Sequence, residues 1–215
     1  MRTNRRTFFK KGVFLGAGLS LGSVLLTKED SEESVNQTSF DIFKVMASRR
    51  SVRKFKSISV PKEHITKILE AANFAPSPRN RQAWKFLVLQ NRNILDQIKE
   101  ECIKRGGEKS RQYFTDYLSA PVYIVVLANT KTRNPANDIT AGALAAQNLI
   151  LAARALGYGS VFCVNSIPEE VTKKVLKTPD EYQRICIIPI GIPVEWPKMK
   201  QKKSLKEVVM YGPFE

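Results

Sequence analysis

Residues 138–156 constrain the fold of this 215-residue chain more than any other stretch. From Asp138 to Leu156 the spacing predicts one helix. Ala141, Ala143, Leu144, Ala145, Ala146, Leu149, Ile150, Leu151, Ala152, Ala153 and Ala155 fall almost all the way round it. A helix that is apolar on nearly every side has to be covered on nearly every side. Its alanines admit a close neighbour, either a core element of the same chain or a second copy at a dimer interface. Two further runs, 121–128 and 185–192, are apolar on both faces and rich in β-branched residues, as strands buried inside a sheet are. A chain of this length can build the one sizeable core that these segments need.

The remaining elements follow from spacing and punctuation. Phe40 to Ser48 reads as a helix with Ser39 as its cap, and Ser51 to Ser59 as extended chain. Pro61-Lys62-Glu63 opens a helix that turns Ile65, Ile68, Leu69 and Ala72 inward, and Pro76 and Pro78 end it. Lys85 to Gln90 is a predicted strand, Asn91 to Ile103 a helix closed by Gly106-Gly107, and 108–119 an ambiguous, partly helical segment. Gly157 and Gly159 turn the chain into a predicted strand from Ser160 to Val164. Ser166-Ile167-Pro168-Glu169 has the form of a capping box. No GxGxxG follows a strand, which disfavours a dinucleotide Rossmann fold.

The net charge of +15 favours anionic partners. Without zinc-finger spacing or aromatic–basic alternation, nucleic acid is a poor candidate. Residues 1–30 carry six of the cations and two acids, so the rest of the chain still holds +11. This leader pairs Arg5-Arg6 with Phe8-Phe9-Lys10 and an apolar run from Gly12 to Leu26, which resembles a twin-arginine export signal. It implies recognition by the twin-arginine translocase and a destination in the periplasm or on the outer face of the cytoplasmic membrane. Whether it is cleaved or kept as an anchor is open. Residues 31–38 read as a linker and 39–215 as a single domain. Cys102, Cys163 and Cys186 form no CxxC, and one histidine, His64, on a polar helix surface, cannot make a metal site.

Ser48-Arg49-Arg50-Ser51-Val52-Arg53-Lys54-Phe55 concentrates guanidinium forks and a hydroxyl, donors suited to phosphate oxygens. By itself it reads more readily as a solvated basic helix end than as a binding site. Two later stretches add context: Ala75-Pro76-Ser77-Pro78-Arg79-Asn80-Arg81-Gln82-Ala83-Trp84 before a strand, and Leu156-Gly157-Tyr158-Gly159-Ser160 after the long helix. In this order and spacing, over roughly residues 38–212, the three resemble the FMN-dependent nitroreductase family.

The resemblance implies an α+β sandwich with a central, mainly antiparallel sheet flanked by helices. It implies a tight homodimer with FMN at the interface, touched by both chains. At matching positions Arg49 and Ser51 would hold the FMN phosphate, and Arg50 would contribute partly through its backbone. Arg53 would lie near the pyrimidine end of the flavin, where a cation stabilises the charge left by two-electron reduction. Pro76, Ser77 and Asn80 match a loop that reaches FMN from the partner chain, with Gln82 and Trp84 supporting it; for Trp84 the reading as plain core is preferred. A backbone N–H at Cys163, Val164 or Asn165 would donate to the hydride-accepting nitrogen. Lys202 and Lys203 look like a second phosphate clamp, although a solvated charge run fits them nearly as well.

The implied reaction is a flavin-centred, ping-pong transfer with no side-chain nucleophile. It runs from NAD(P)H or another donor to a nitroaromatic, quinone or similar small-molecule acceptor. An exported enzyme would meet little NAD(P)H, and a membrane donor such as a quinol would then serve. The alternatives are dehalogenation or flavin fragmentation on the same fold, an exported flavin-binding electron carrier, and a cofactor-free membrane adaptor.

Overall fold

The computed structural model describes residues 41–108 and 111–213. The leader, the linker and the expected cap Ser39 lie outside them. Within them the chain runs α1 (Ile42–Ser48), α2 (Lys62–Asn73), a 3-10 turn (Pro78–Asn80), β1 (Trp84–Leu89), α3 (Arg92–Gly106), α4 (Arg111–Tyr117) and β2 (Val122–Asn129). It continues through α5 (Pro135–Ala155), β3 (Gly159–Ser160), α6 (Glu169–Leu176), β4 (Tyr182–Gly191) and a 3-10 turn (Leu205–Glu207). This is the expected α+β architecture. The sheet order is β1-β2-β4-β3, and every strand pair is antiparallel.

The central strands β2 and β4 are apolar on both faces because helices cover both. On one side Val125, Leu127 and Ile187 pack with Leu95, Ile98, Tyr117 and Val171 of α3, α4 and α6. On the other, Ile124, Val126, Ile188 and Ile190 pack with Ile68 and Ala72 of α2 and Ala146 and Leu149 of α5.

The β2–β4 ladder is interrupted by a bulge. Val126 pairs with Cys186 but Leu127 pairs with Arg184, which leaves Ile185 as the extra residue. A bulge re-aims the side chains that flank it. Here Ile185 joins the α5 side of the sheet, and Arg184 lies opposite Leu127, on the side of α3 and α6. Ile185 leaves no slack against α5: a Cβ on Gly142 would sit 3.1 Å from its Cγ1.

Several sequence expectations need correction. Helix α1 starts at Ile42, capped by Asp41, whose carboxylate accepts from the amides of Phe43 (2.9 Å) and Lys44 (3.2 Å). Helix α5 begins a turn before Asp138, at Pro135, with Asn134 as the cap. Nor is it covered all round: Thr140, Leu144 and Gln147 are exposed. β3 stops at Ser160 rather than Val164, although Cys163 makes one isolated bridge to Ile187. Helix α6 has no capping box; Pro168 occupies the cap position without a side-chain bond, since its fixed φ already suits the entry. His64 is half-buried rather than on the surface, with Nδ1 2.7 Å from the Tyr158 hydroxyl.

Candidate functional site

The arginine-rich stretch is folded against the edge of the sheet. α1 ends because Arg49 is extended (ψ 133°), and the chain then runs beside β3. Val52 N donates to Ser160 O at 3.0 Å, and Lys56 N to Ile192 O at 2.8 Å. This close approach explains Gly159: a Cβ there would lie 2.8 Å from Val52 Cγ2 and 2.7 Å from Pro193 Cγ. The expected LGYGS turn therefore seats the arginine stretch.

Arg49, Arg50, Ser51 and Arg53 share a cavity of about 480 Å³ with Met46 and with an arm formed by Pro197, Lys198, Met199, Lys200 and Lys202. Among the described residues no carboxylate lines it. Arg50 folds back on the end of α1, its guanidinium donating to Ala47 O (2.7 Å) and Arg49 O (2.8 Å). Arg53 donates to Ser51 O at 3.2 Å. Arg49 is half-buried and has no ion pair or side-chain hydrogen bond among the described residues. A partly desolvated guanidinium is costly without a counter-charge, so this set of donors calls for an anion. Arg154, at the end of α5, ties the parts together. It donates to Ser48 Oγ (3.0 Å) and stacks 4.2 Å over the ring of Trp196, which anchors the arm.

The Pro76–Asn80 loop lies elsewhere. Pro76 and Ser77 line a separate cleft with Asn137, Ala141 and Leu144 of α5, so one chain does not bring them into the arginine cavity. Asn80 is exposed and lines neither. The loop is tightly specified: Ser77 O accepts from Asn80 N (2.9 Å) and Ser77 Oγ from Gln82 N (3.0 Å). Arg79, Asn80 and Gln82 all adopt positive φ (54°, 54° and 50°), an uncommon and costly run for residues with a Cβ. Behind it Asp138, with no exposed side-chain surface, pairs with Arg81 at 2.8 Å and accepts from the Thr132 hydroxyl. Trp84 is core, as expected, with Nε1 donating to Asn73 Oδ1 at 3.1 Å.

Val164 and Asn165 are exposed on the bend after β3. Arg184, re-aimed by the bulge, holds this bend by donating to Val164 O (2.8 Å), Thr172 Oγ1 (3.0 Å) and Pro168 O (3.5 Å). Burial pushes its pKa down, and no carboxylate lies in ion-pair range among the described residues. Of the two tail lysines expected at the site, Lys202 reaches the cavity and Lys203 does not line it. Sequence reasoning missed Lys198 and Lys200; the alternation Lys198, Lys200, Lys202 was the available signal, since extended chain repeats every two residues. Arg154, Arg184 and Asp138 carry no local signal. Among the described residues, no group of three or more His, Cys, Asp or Glu side chains could hold a metal ion.

The chain is thus an α/β/α domain with an antiparallel sheet and, at its edge, a cationic cavity that no carboxylate of the described residues lines. Residues 46–192 match the model of the nitroreductase family, and the chain belongs to that family. It is 32% identical over 161 residues to a provisionally named NADH dehydrogenase/NAD(P)H nitroreductase of Methanothermobacter thermautotrophicus, covering 73% of this chain and 80% of that one. Over 188 residues it is 28% identical to the iodotyrosine deiodinase of Thermotoga neapolitana, covering 80% and 98%. Its fold is similar to an FMN-dependent nitroreductase of Clostridium difficile R20291, with a TM-score of 0.67, 30% identity, and 80% and 99% of the two chains covered.

Proposed function

We propose that this protein is an FMN-dependent oxidoreductase whose cofactor phosphate is held in the arginine cavity. One observation carries the reading. A half-buried Arg49, unpaired among the described residues, lies with Arg50, Ser51, Arg53 and the lysines of the arm around a space that none of their carboxylates lines. Its chemistry suits a dianion with several acceptor oxygens. Arg49 and Ser51 would bind the phosphate directly, Lys198, Lys200 and Lys202 would close over it, and Arg50 would brace the end of α1. Bound FMN supplies hydride and single-electron chemistry through its ring system. Arg53 would put a cation near the part of the flavin where reduction leaves negative charge, and the bend at Val164–Asn165, held by Arg184, would present backbone donors to it.

The donor in this reading is NAD(P)H or another reductant, and the acceptor a nitroaromatic, a quinone or a similar small molecule. Reductive dehalogenation is the second reading, supported by the similarity to an iodotyrosine deiodinase; iodide release from 3-iodotyrosine separates the two. We also propose a homodimer in which the Pro76–Asn80 loop completes the site of the other copy. The separation of that loop from the arginine cavity supports it, as do exposed Ile42, Phe43 and Met46 on α1 and Leu205, Val208, Met210 and Tyr211 beyond the arm. For residues 1–30 we propose twin-arginine export, on the strength of the Arg5-Arg6 pattern. The test of the main reading is an absorption spectrum. Protein supplied with FMN and then desalted should retain a band near ~450 nm, and Arg49→Gln should weaken retention about tenfold or more. A colourless wild-type protein would end the proposal.

A further inference from the structure

We propose that the cleft beside the Pro76–Asn80 loop is an acceptor site selective for aromatic carboxylic acids. This rests on the reading of the protein as a flavin oxidoreductase and adds the substrate class. Two hollows meet there. One, of about 310 Å³, lies between Pro76 and Pro78 of the loop and Ala141 and Leu144 of α5. Its lining is mostly apolar, and the exposed side chain of Leu144 contributes a surface suited to a flat ring. The other, of about 240 Å³, is lined by Arg79, Arg81 and Arg133. Pro78 and Asn137 line both, so the two hollows adjoin, one mainly apolar and the other cationic. Small-molecule sites are commonly built this way, with apolar walls and a few polar groups that fix orientation.

The charges at the cationic end are not all neutralised within the described residues. Asp138 neutralises Arg81 from behind and has no exposed side-chain surface. Arg79 and Arg133 have no carboxylate within ion-pair distance and no side-chain hydrogen bond among the described residues. Arg79 is moreover held at φ 54° and ψ 27°, a conformation costly for a residue with a side chain. Two unpaired guanidinium forks at one end of an apolar slot match a carboxylate carried on an aromatic ring. The amide of Asn137, at the junction, can pair with a polar ring substituent.

The test uses the full-length FMN-loaded protein with NADH or NADPH as the reductant and two acceptors that differ in charge and by one methyl group, 4-nitrobenzoate and its methyl ester. The wild type should show a KM about tenfold lower for the acid. Arg133→Gln, outside the loop, should raise that KM about fivefold to tenfold with kcat and the kinetics of the ester unchanged, and Arg79→Asn, which tolerates positive φ, should raise the KM of the acid more than that of the ester. High salt should weaken the acid's advantage and leave the ester unaffected. Equal KM values for acid and ester in the wild type, or variants that slow both alike, would overturn the proposal. If the loaded protein reduces neither acceptor, nitroaromatics are not its acceptors and that part of the proposed function fails instead. Equilibrium dialysis of 4-nitrobenzoate then decides the site: binding lost in both variants sustains it, and binding absent from the wild type or unchanged in the variants refutes it.

Discussion

Gly142 and Ile185 should be coupled through the contact that sets the β-bulge. Gly142 lies inside α5, where alanine would favour the helix by about 1 kcal/mol. A Cβ there, however, falls 3.1 Å from Ile185 Cγ1 and 3.7 Å from its Cδ1. Overpacking of that kind costs about 1–3 kcal/mol, so Gly142→Ala should be neutral or destabilising by up to about 2 kcal/mol. Ile185→Ala removes both opposing atoms and should itself cost about 2–5 kcal/mol. In that background the overlap is gone, and the further substitution Gly142→Ala should stabilise by about 1 kcal/mol. The coupling energy is then about 1–3 kcal/mol, read from urea unfolding of the four proteins at constant m-value. If Gly142→Ala changes stability equally in both backgrounds, within about 0.4 kcal/mol, the residues are independent and the account of the bulge is wrong.

Three more outcomes follow from polar groups that the fold pairs or buries. Arg184→Met removes the part-buried hydrogen bonds to Thr172 Oγ1 and Pro168 O and should destabilise by about 1–3 kcal/mol in urea unfolding, with Arg184→Lys recovering less than half because one ammonium cannot span the same acceptors. Asp138→Asn keeps the shape but leaves Arg81 without its counter-charge; a loss of about 2–4 kcal/mol is expected, with faster proteolytic cleavage between Pro78 and Gln82. Burial pushes the Cys102 thiol up from 9.0 to about 11, so above pH 9 the unfolded chain has released a proton that the folded protein still holds. Stability should therefore fall as pH rises from about 9 to about 11, by at most about 1.4 kcal/mol per pH unit from this group, and the fall should be shallower in Cys102→Ala.

The elements that the sequence announced were those with a strong period or a strong breaker. The both-face apolar runs at 121–128 and 185–192 became the two central strands, and Ile65, Ile68 and Ala72 face inward from α2 as their spacing required. Boundaries failed where two residues competed for one role. Ser39 and Asp41 could each cap α1, and Asp138 has the composition of a helix start although Asn134-Pro135 provides a better one. The bulge at Ile185 was invisible, because Arg184, Ile185 and Cys186 satisfy an alternating pattern and its interruption about equally well. It is the packing of Ile185 on Gly142, 43 positions away in the chain, that separates the two. The arginine cluster was legible as chemistry, but its partners in the arm and on α5 depend on where the fold returns the chain.

That return makes the cationic cavity more than a cluster of like charges. Arg49, Arg50 and Arg53 come from the end of α1, and Lys198, Lys200 and Lys202 from an arm nearly 150 residues later in the chain. Their mutual repulsion opposes closure. What holds the arm in place is largely uncharged or shared: the ring of Trp196 beneath Arg154, and the hydrogen bond from Arg154 to Ser48 at the end of α1. Arg154 thus commits one cation to fixing the geometry in which six others converge. An anion in the cavity would turn the repulsion between the two sides into shared attraction, so ligand binding and docking of the arm become one thermodynamic event. The site is then strained by its own charge without a ligand and relieved by one, as expected of a fold that takes up a phosphate-bearing cofactor and keeps it.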